Sequence, residues 1–353
     1  MWFNNTPKQC NIHQKTFINA KQITDIYTRQ TPLISLSNIG QDNKQKILLK
    51  DETKQHSGSF KLRGVSYIVH KAFQDMDNSG ISLITQSTGN HGIAILYTIR
   101  KILEMNLSNN VYKSVIPVIY GTKDIKPSKL VVMRDELDKI RILMKDKKRG
   151  ILDFTFNTYA EAKEARLEYM KQHESIYLSH GSRDTFIGHG TMGVELNEQL
   201  NALQIPQDAK ISIILSCGAG GIIGIGACLS AIRGIHNVNV IITQTDDQDA
   251  FVRSLMKGKI QYNNKPRLDF ADGIAVDAPE KYALYTACKC VTAADIVSHE
   301  YCQDVLLPVV RSCIKENIPI GGTTVMGFAT LEKKINCVQN SDVVIVVACE
   351  GHI

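Results

Sequence analysis

The stretch SGSFKLRG, Ser57 to Gly64, sets a lysine between small flexible residues and an apolar-periodic segment. A lone lysine is most often a solvated charge. Lys61 instead falls where a helix should start, and the positive end of a helix dipole lowers the pKa of an amine placed there. Only a neutral amine attacks a carbonyl, so a lysine used for Schiff-base chemistry needs that shift. Two further loops carry reactive residue types. QSTGNHG, Gln86 to Gly92, groups the cap-type residues Ser87, Thr88 and Asn90, which suit the start of a helix. The same loop offers N–H and hydroxyl donors for a carboxylate, and Asn90 adds a neutral amide that can donate to a phenolate without adding charge. In SCGAGGIIGIG, Ser216 to Gly226, small residues let backbone N–H groups converge on an anion. No Lys-Ser/Thr follows, so it is not a P-loop. Ile223 takes the sixth position from Gly218, which breaks the G-x-G-x-x-G spacing. The segment reads as either a phosphate cup or a tight strand-to-helix turn.

The elements that must position these loops alternate along the chain. Apolar runs of strand length occur at Lys46–Lys50, Ile81–Thr85, Val115–Tyr120, Ile211–Leu215, Val238–Thr243 and Val343–Val347. Several are apolar throughout, which predicts strands buried on both faces in parallel sheets. Helical patterns lie between them at Gly64–Gln74, Ile93–Leu103, Ser128–Lys147, Thr158–Lys171 and Gly221–Arg233. The fold class is therefore α/β. Lys257–Arg267 is the most loop-like insertion.

Composition excludes several function classes. The chain has 353 residues, 43% hydrophobic and 22% charged, with a net charge of +6 spread along it. Short basic runs such as Lys145–Arg149 read as solvated surface, so no nucleic-acid partner is expected. Ile211–Ile232 is uncharged over 22 residues, but Gly218, Gly220 and Gly221 would break a membrane-spanning helix. It reads as a strand, a turn and a helix, with no membrane association. Nine irregularly spaced cysteines, with no C-x-x-C pair, suggest free thiols in a cytoplasmic, reducing setting. The polar N-terminus has no signal-peptide core.

Taken together and in order, the motifs resemble those of the fold-type II pyridoxal-phosphate enzymes, the serine/threonine dehydratase and tryptophan-synthase-β group. Thr31-Pro32-Leu33, LLKDETKQHSGSFKLRG (Leu48–Gly64), QSTGNHG, IKPSKL (Ile125–Leu130), FIGHGTMGVEL (Phe186–Leu196), SCGAGG, FADGIAV (Phe270–Val276) and VVACEGH (Val346–His352) all match. The resemblance implies a two-domain architecture with a parallel-sheet, three-layer αβα arrangement in each domain. Residues 1–79 and 159–353 would form a large domain that binds pyridoxal 5'-phosphate. Residues 80–158 would form a small mobile domain. Lys61 would carry the cofactor as an imine and then remove the substrate α-proton, with Phe60 packing beside it. Asn90 would bond the ring oxygen. Gly218, Ala219, Gly220 and Gly221 would hold the phosphate, and Cys349 would face the pyridine nitrogen. Ser87, Thr88, Asn90 and His91 would bind the substrate carboxylate, although His91 reads equally well as a helix cap. A homodimer is implied as well.

Departures from the family pattern bear on the reaction. Cys349 stands where Ser or Thr is usual, and a neutral thiol is a weak partner for the ring nitrogen. The modest electron sink that results suits β-elimination. A small buried hydrophobe and a thiolate are the other readings of Cys349. QTDDQDA opens with Gln244 where a metal-loop Glu is frequent, so no metal site is expected, while Asp246, Asp247 and Asp249 leave a cation as the alternative. GGTTVMG, Gly321–Gly327, replaces the usual Glu-Pro-x-Gly. The expected activity is a lyase that removes a β-substituent and ammonia from a serine- or threonine-like amino acid, with the phosphate or Thr88 assisting departure of the hydroxyl. The alternatives are β-replacement, a diaminopropionate ammonia-lyase-like reaction, and a non-catalytic sensor or partner protein on the same fold.

Overall fold

The computed structural model describes residues 3–4, 12–36, 45–76, 80–87, 89–106, 112–264, 269–314, 318–333 and 336–351. In chain order its strands are β1 (Phe3–Asn4), β2 (Leu33–Ser35), β3 (Lys46–Asp51), β4 (Ser82–Gln86), β5 (Ile116–Thr122) and β6 (Ile151–Phe156). They continue with β7 (Ser175–Tyr177), β8 (Ile211–Ser216), β9 (Val238–Thr245), β10 (Ala293–Val297) and β11 (Val343–Ala348). One sheet has the order β1-β10-β9-β8-β11-β3-β2 and the other β6-β5-β4-β7. The second sheet is parallel throughout. The first is parallel except where β1 and β2 pair at its edges.

The non-alternating apolar strands are buried on both faces, as such sequences require. Val343, Ile345 and Val347 pack into one cluster with Ile223 and Leu229, while Val344 and Val346 pack into another with Val325 and Met326. The larger sheet thus lies between two helical layers. In the smaller sheet, Leu83 and Ile119 face Ile93 and Met133, whereas Ile84 and Val118 face Ala162. The uncharged Ile211–Ile232 segment divides into β8, a glycine turn and the helix Ile223–Arg233. Among the described residues no helix is long and apolar enough to cross a membrane.

All six expected strands and all five expected helices are present, within a few residues of the pattern. Several of the elements missed have weak apolar signals or break helix propensity. β6 is an edge strand with no fully buried residue, and β7 has three residues. The helix Arg183–Ala202 contains Gly188, Gly190 and Gly193, which argue against a helix by propensity. Tertiary contact explains them: an added Cβ would lie 2.8 Å from Gly64 Cα, 2.3 Å from Phe17 Cδ1 and 2.6 Å from Ile225 O respectively. Residues 258–264 of the loop-like insertion carry neither helix nor strand, and 265–267 lie outside the described residues. Because β7 completes the smaller sheet, we propose that the small domain extends through Tyr177 rather than ending at 158.

Beneath the helix Lys61–Gln74 lies a fully buried ion network. Arg63 donates to Glu52 at 2.8 Å and to Glu195 at 2.9 and 3.1 Å. Lys50 pairs with Glu195 and donates to Thr31 O and Gln199 Oε1, each at 2.8 Å. Burial alone would raise the Glu195 carboxyl, but Arg63 and Lys50 outweigh it and hold the pKa at about 2. Its stabilisation is complete above the ordinary value of 4.5 and is lost as pH falls toward about 2. Glu195→Ala is expected to cost about 3–5 kcal/mol, because it leaves buried Lys50 without its ion-pair partner. Urea midpoints measured against pH check this: the variant should be weaker at neutral pH and should show a flatter acid limb.

Candidate active site

The reactive loops all leave the carboxyl ends of parallel strands, where open α/β sheets form their binding crevices. β3 leads through a short turn to Lys61, β4 to Ser87 and Asn90, β8 to the glycine turn, and β11 to Cys349 and Glu350. The backbone stitches two of these loops together. Phe60 N–H donates to Cys349 O at 3.0 Å, and Gly351 N–H donates to Gly58 O at 2.9 Å. Gly58 has φ +72°, a left-handed conformation that favours glycine. This explains the small residues before the lysine.

Lys61 is the first residue of its helix. Its Nζ lies 4.7 Å from the centre of the Phe60 ring. Two adjoining cavities share Lys61, Asn90, Ala219 and Gly273 as lining residues. Burial depresses the Lys61 amine below the usual lysine range, and Lys129 adds to this, while Cys349, Glu350 and Cys217 oppose it. Three buried histidines surround it without adding charge. Burial lowers His91 to about 3 and takes His180 and His189 well below their ordinary value.

The first helical residue after the β4 loop is Asn90. Ser87 Oγ accepts from Gly89 N at 3.0 Å and Gly92 N at 3.1 Å, which leaves its own hydrogen to donate. The Asn90 and His91 N–H groups are first-turn donors with no partner inside the helix. His91 Nε2 lies 3.0 Å from Leu178 O, its Nδ1 is unpartnered, and its ring stacks on His180 at 3.8 Å. With the Nε2–H spent on that carbonyl, His91 can serve an anion only through its backbone N–H. Asn90 Nδ2 donates to Glu350 Oε2, and its Oδ1 is buried without a partner. Thr88 lies outside the described residues.

The glycine turn sits at the N-terminal end of Ile223–Arg233, two residues later than the helix start expected at Gly221. Gly220 has φ +105°, and an added Cβ would lie 2.4 Å from Phe251 Cε2. At Gly221 it would lie 2.4 Å from His180 O, and at Gly218 2.9 Å from Ile274 Cα. Ala219 is tolerated between them and lines both cavities. Cys349 is buried beside Lys61, and burial pushes its thiol far above the ordinary value. Burial thus favours the neutral thiol over the thiolate.

The family described as "Pyridoxal-phosphate dependent enzyme" matches residues 25–350. The chain belongs to that family. It is 25% identical to the serine racemase of Dictyostelium discoideum over 74% of this chain and 71% of the relative. It is also 25% identical to the L-threonine ammonia-lyase of Thermotoga maritima over 90% of this chain and 70% of the relative. Among solved structures, diaminopropionate ammonia lyase from Escherichia coli superposes with a TM-score of 0.79 at 18% identity, covering 99% and 93% of the two chains. The processed form of threonine deaminase isoform 2 from Solanum lycopersicum gives 0.73 at 18%, covering 99% and 94%. The fold is the fold-type II architecture that the motifs implied, and the chain is a pyridoxal-phosphate-dependent enzyme.

The residues present fit that cofactor. A glycine cradle closed to side chains meets a helix N-terminus suited to a phosphate, and a depressed lysine amine borders the same cavity. Reading the family's sequence pattern overlooked other groups at this site. Glu350 lines the cavity beside the glycine turn, and His180 and Tyr159 line the adjoining one. Lys129 Nζ lies 2.5 Å from Asp272 Oδ2 and 3.4 Å from Glu350 Oε2. Lys129 and Asp272 lie within the IKPSKL and FADGIAV segments, but motif matching gives no reason to single them out. Gln244 spends its amide on Cys217 O at 2.8 Å and Val252 N at 2.9 Å. Asp249 pairs with Arg253 at 2.6 Å. Among the described residues no group of three metal-ligating side chains occurs.

Gly220→Ala tests the cradle. The backbone strain should cost about 1–3 kcal/mol and weaken pyridoxal phosphate binding roughly tenfold, as read by titrating the apoprotein. Unchanged affinity would show that the loop does not hold the phosphate.

Proposed function

We propose that this enzyme is an ammonia-lyase acting on a small β-hydroxy amino acid of the serine or threonine type. The supporting observation is the convergence of a depressed Lys61 amine with the N–H end of the Asn90 helix across the glycine cradle. The relatives named L-threonine ammonia-lyase and L-serine dehydratase support the same reaction class. The free thiols among the described residues suit a reducing, cytoplasmic setting. By resemblance the enzyme works as a homodimer.

Pyridoxal phosphate, when bound, supplies a ring that delocalises the electron pair left at the substrate α-carbon. Gly218, Ala219, Gly220 and Gly221 would hold its phosphate, with Phe60 and Asn90 against its ring and Cys349 at the ring nitrogen. The Ser87 hydroxyl and the N–H groups of Asn90 and His91 grip the substrate carboxylate at the positive end of the helix. This anchors the α-carbon in front of Lys61, whose Nζ takes the α-proton. Only a deprotonated amine can do so, and the burial of Lys61 favours that state. Cys349, whose burial favours the neutral thiol, would give the ring nitrogen no full negative partner and so would suit prompt loss of the β-substituent. Thr88 carries the proton to the departing hydroxyl, a role assigned on the motif alone. The enamine left behind tautomerises to an imine, and addition of water to its carbon releases ammonia and leaves a 2-oxo acid.

The test is ammonia release and product mass with L-serine, L-threonine, threo-3-hydroxyaspartate and 2,3-diaminopropionate. Turnover of serine or threonine is expected, falling roughly 10³-fold or more in Lys61→Ala. Turnover of diaminopropionate alone would reassign the leaving group. No turnover with any of the four would refute a lyase.

A further inference from the structure

Resting on that reading, we propose that Glu350 is a positioning residue that fixes which end of the Asn90 amide faces the cofactor's ring oxygen, and that Lys129 in turn fixes Glu350. An asparagine amide presents donors at one end and an acceptor at the other, and the two ends have nearly the same shape. At the ring-oxygen position only the donor end is attractive, so a flipped amide would set oxygen against oxygen. Nothing in Asn90 itself prevents the flip. Glu350 does: its Oε2 accepts from Asn90 Nδ2, while Asn90 Oδ1 is buried and unpartnered. Nδ2 carries two hydrogens, and with one spent on Glu350 the other remains for the cofactor.

Glu350 is itself held from several sides. Lys129 Nζ stands 3.4 Å from its Oε2, and Thr323 Oγ1 donates to its Oε1 at 3.3 Å. Asp272 holds Lys129 at 2.5 Å and also lies 3.4 Å from Lys126 Nζ. The backbone of Glu350 is fixed by its bridge to Ser59, two residues before the reactive lysine. Asn90 and Lys129 come from the unit built on the smaller sheet. Glu350 and Asp272 come from the unit built on the larger one. The relay therefore makes correct presentation of the ring-oxygen donor depend on the two units being in contact. Lys129 keeps its proton, because Glu350 and Asp272 together outweigh its burial.

The test is a double-mutant cycle on the apparent dissociation constant of pyridoxal phosphate, measured on the full chain by absorbance of the bound cofactor. Glu350→Met removes the acceptor at similar size, and Glu350→Gln retains it. Glu350→Met and Asn90→Ala should each weaken binding about tenfold and should move the absorbance maximum of the bound cofactor alike. The double variant should be no worse than either single one, and Glu350→Gln should remain near the parent in affinity and spectrum. Should Glu350→Met fail to fold by circular dichroism, Lys129→Met replaces it, with a smaller loss that vanishes in the Asn90→Ala background. Multiplying effects, or a Glu350→Met protein with parental affinity and spectrum, would overturn the relay and leave the proposed reaction standing. A parent protein that binds no pyridoxal phosphate would remove the proposed function itself.

Discussion

A primary amine enclosed without its own carboxylate either loses its proton or destabilises the fold around it. That constraint organises this molecule. Among the described residues, three lysines are placed deep in the structure. Lys50 meets Glu195, and Lys129 meets Asp272 and Glu350. Lys61, among the described residues, has no ion pair, and its neighbours include three histidines that burial keeps uncharged. The fold thus gives two of these lysines a carboxylate partner and leaves Lys61, whose pKa burial lowers, without an ion pair.

Holding that amine in place takes rigid surroundings. Its helix is anchored by the Arg63–Glu52–Glu195–Lys50 network, and the preceding turn is tied to the end of β11 by two backbone hydrogen bonds. Removing one charge of the network would leave the buried groups it meets with fewer opposite charges, so the network resists piecemeal change. The glycine cradle is fixed by close approach instead: Phe251, Ala283 and His180 occupy the space that side chains would need. Two different kinds of packing therefore meet at one cavity.

The α/β class, the parallel sheets and the order of the loops were legible in the sequence because apolar runs and glycine turns are local signals. Lys61, Asn90 and the Gly218–Gly221 turn were legible for the same reason. The pairing of Lys129 with Asp272 and Glu350 was not, since it joins positions far apart in the chain and depends on how the two sheets face one another. His91 illustrates a subtler limit. Its place at a helix start could be read, but the bond to Leu178 O, which directs its ring away from anion binding, is tertiary. The glycine-bearing helix Arg183–Ala202 was hidden because propensity penalises the close contacts that hold it in place. Thr88 rests on its motif alone.

The account stands or falls on which amine bonds the cofactor. Borohydride reduction of the protein with bound pyridoxal phosphate, followed by peptide mapping, identifies it directly. The account predicts one reduced adduct, on the peptide containing Lys61. An adduct on another lysine, or none at all, would contradict it.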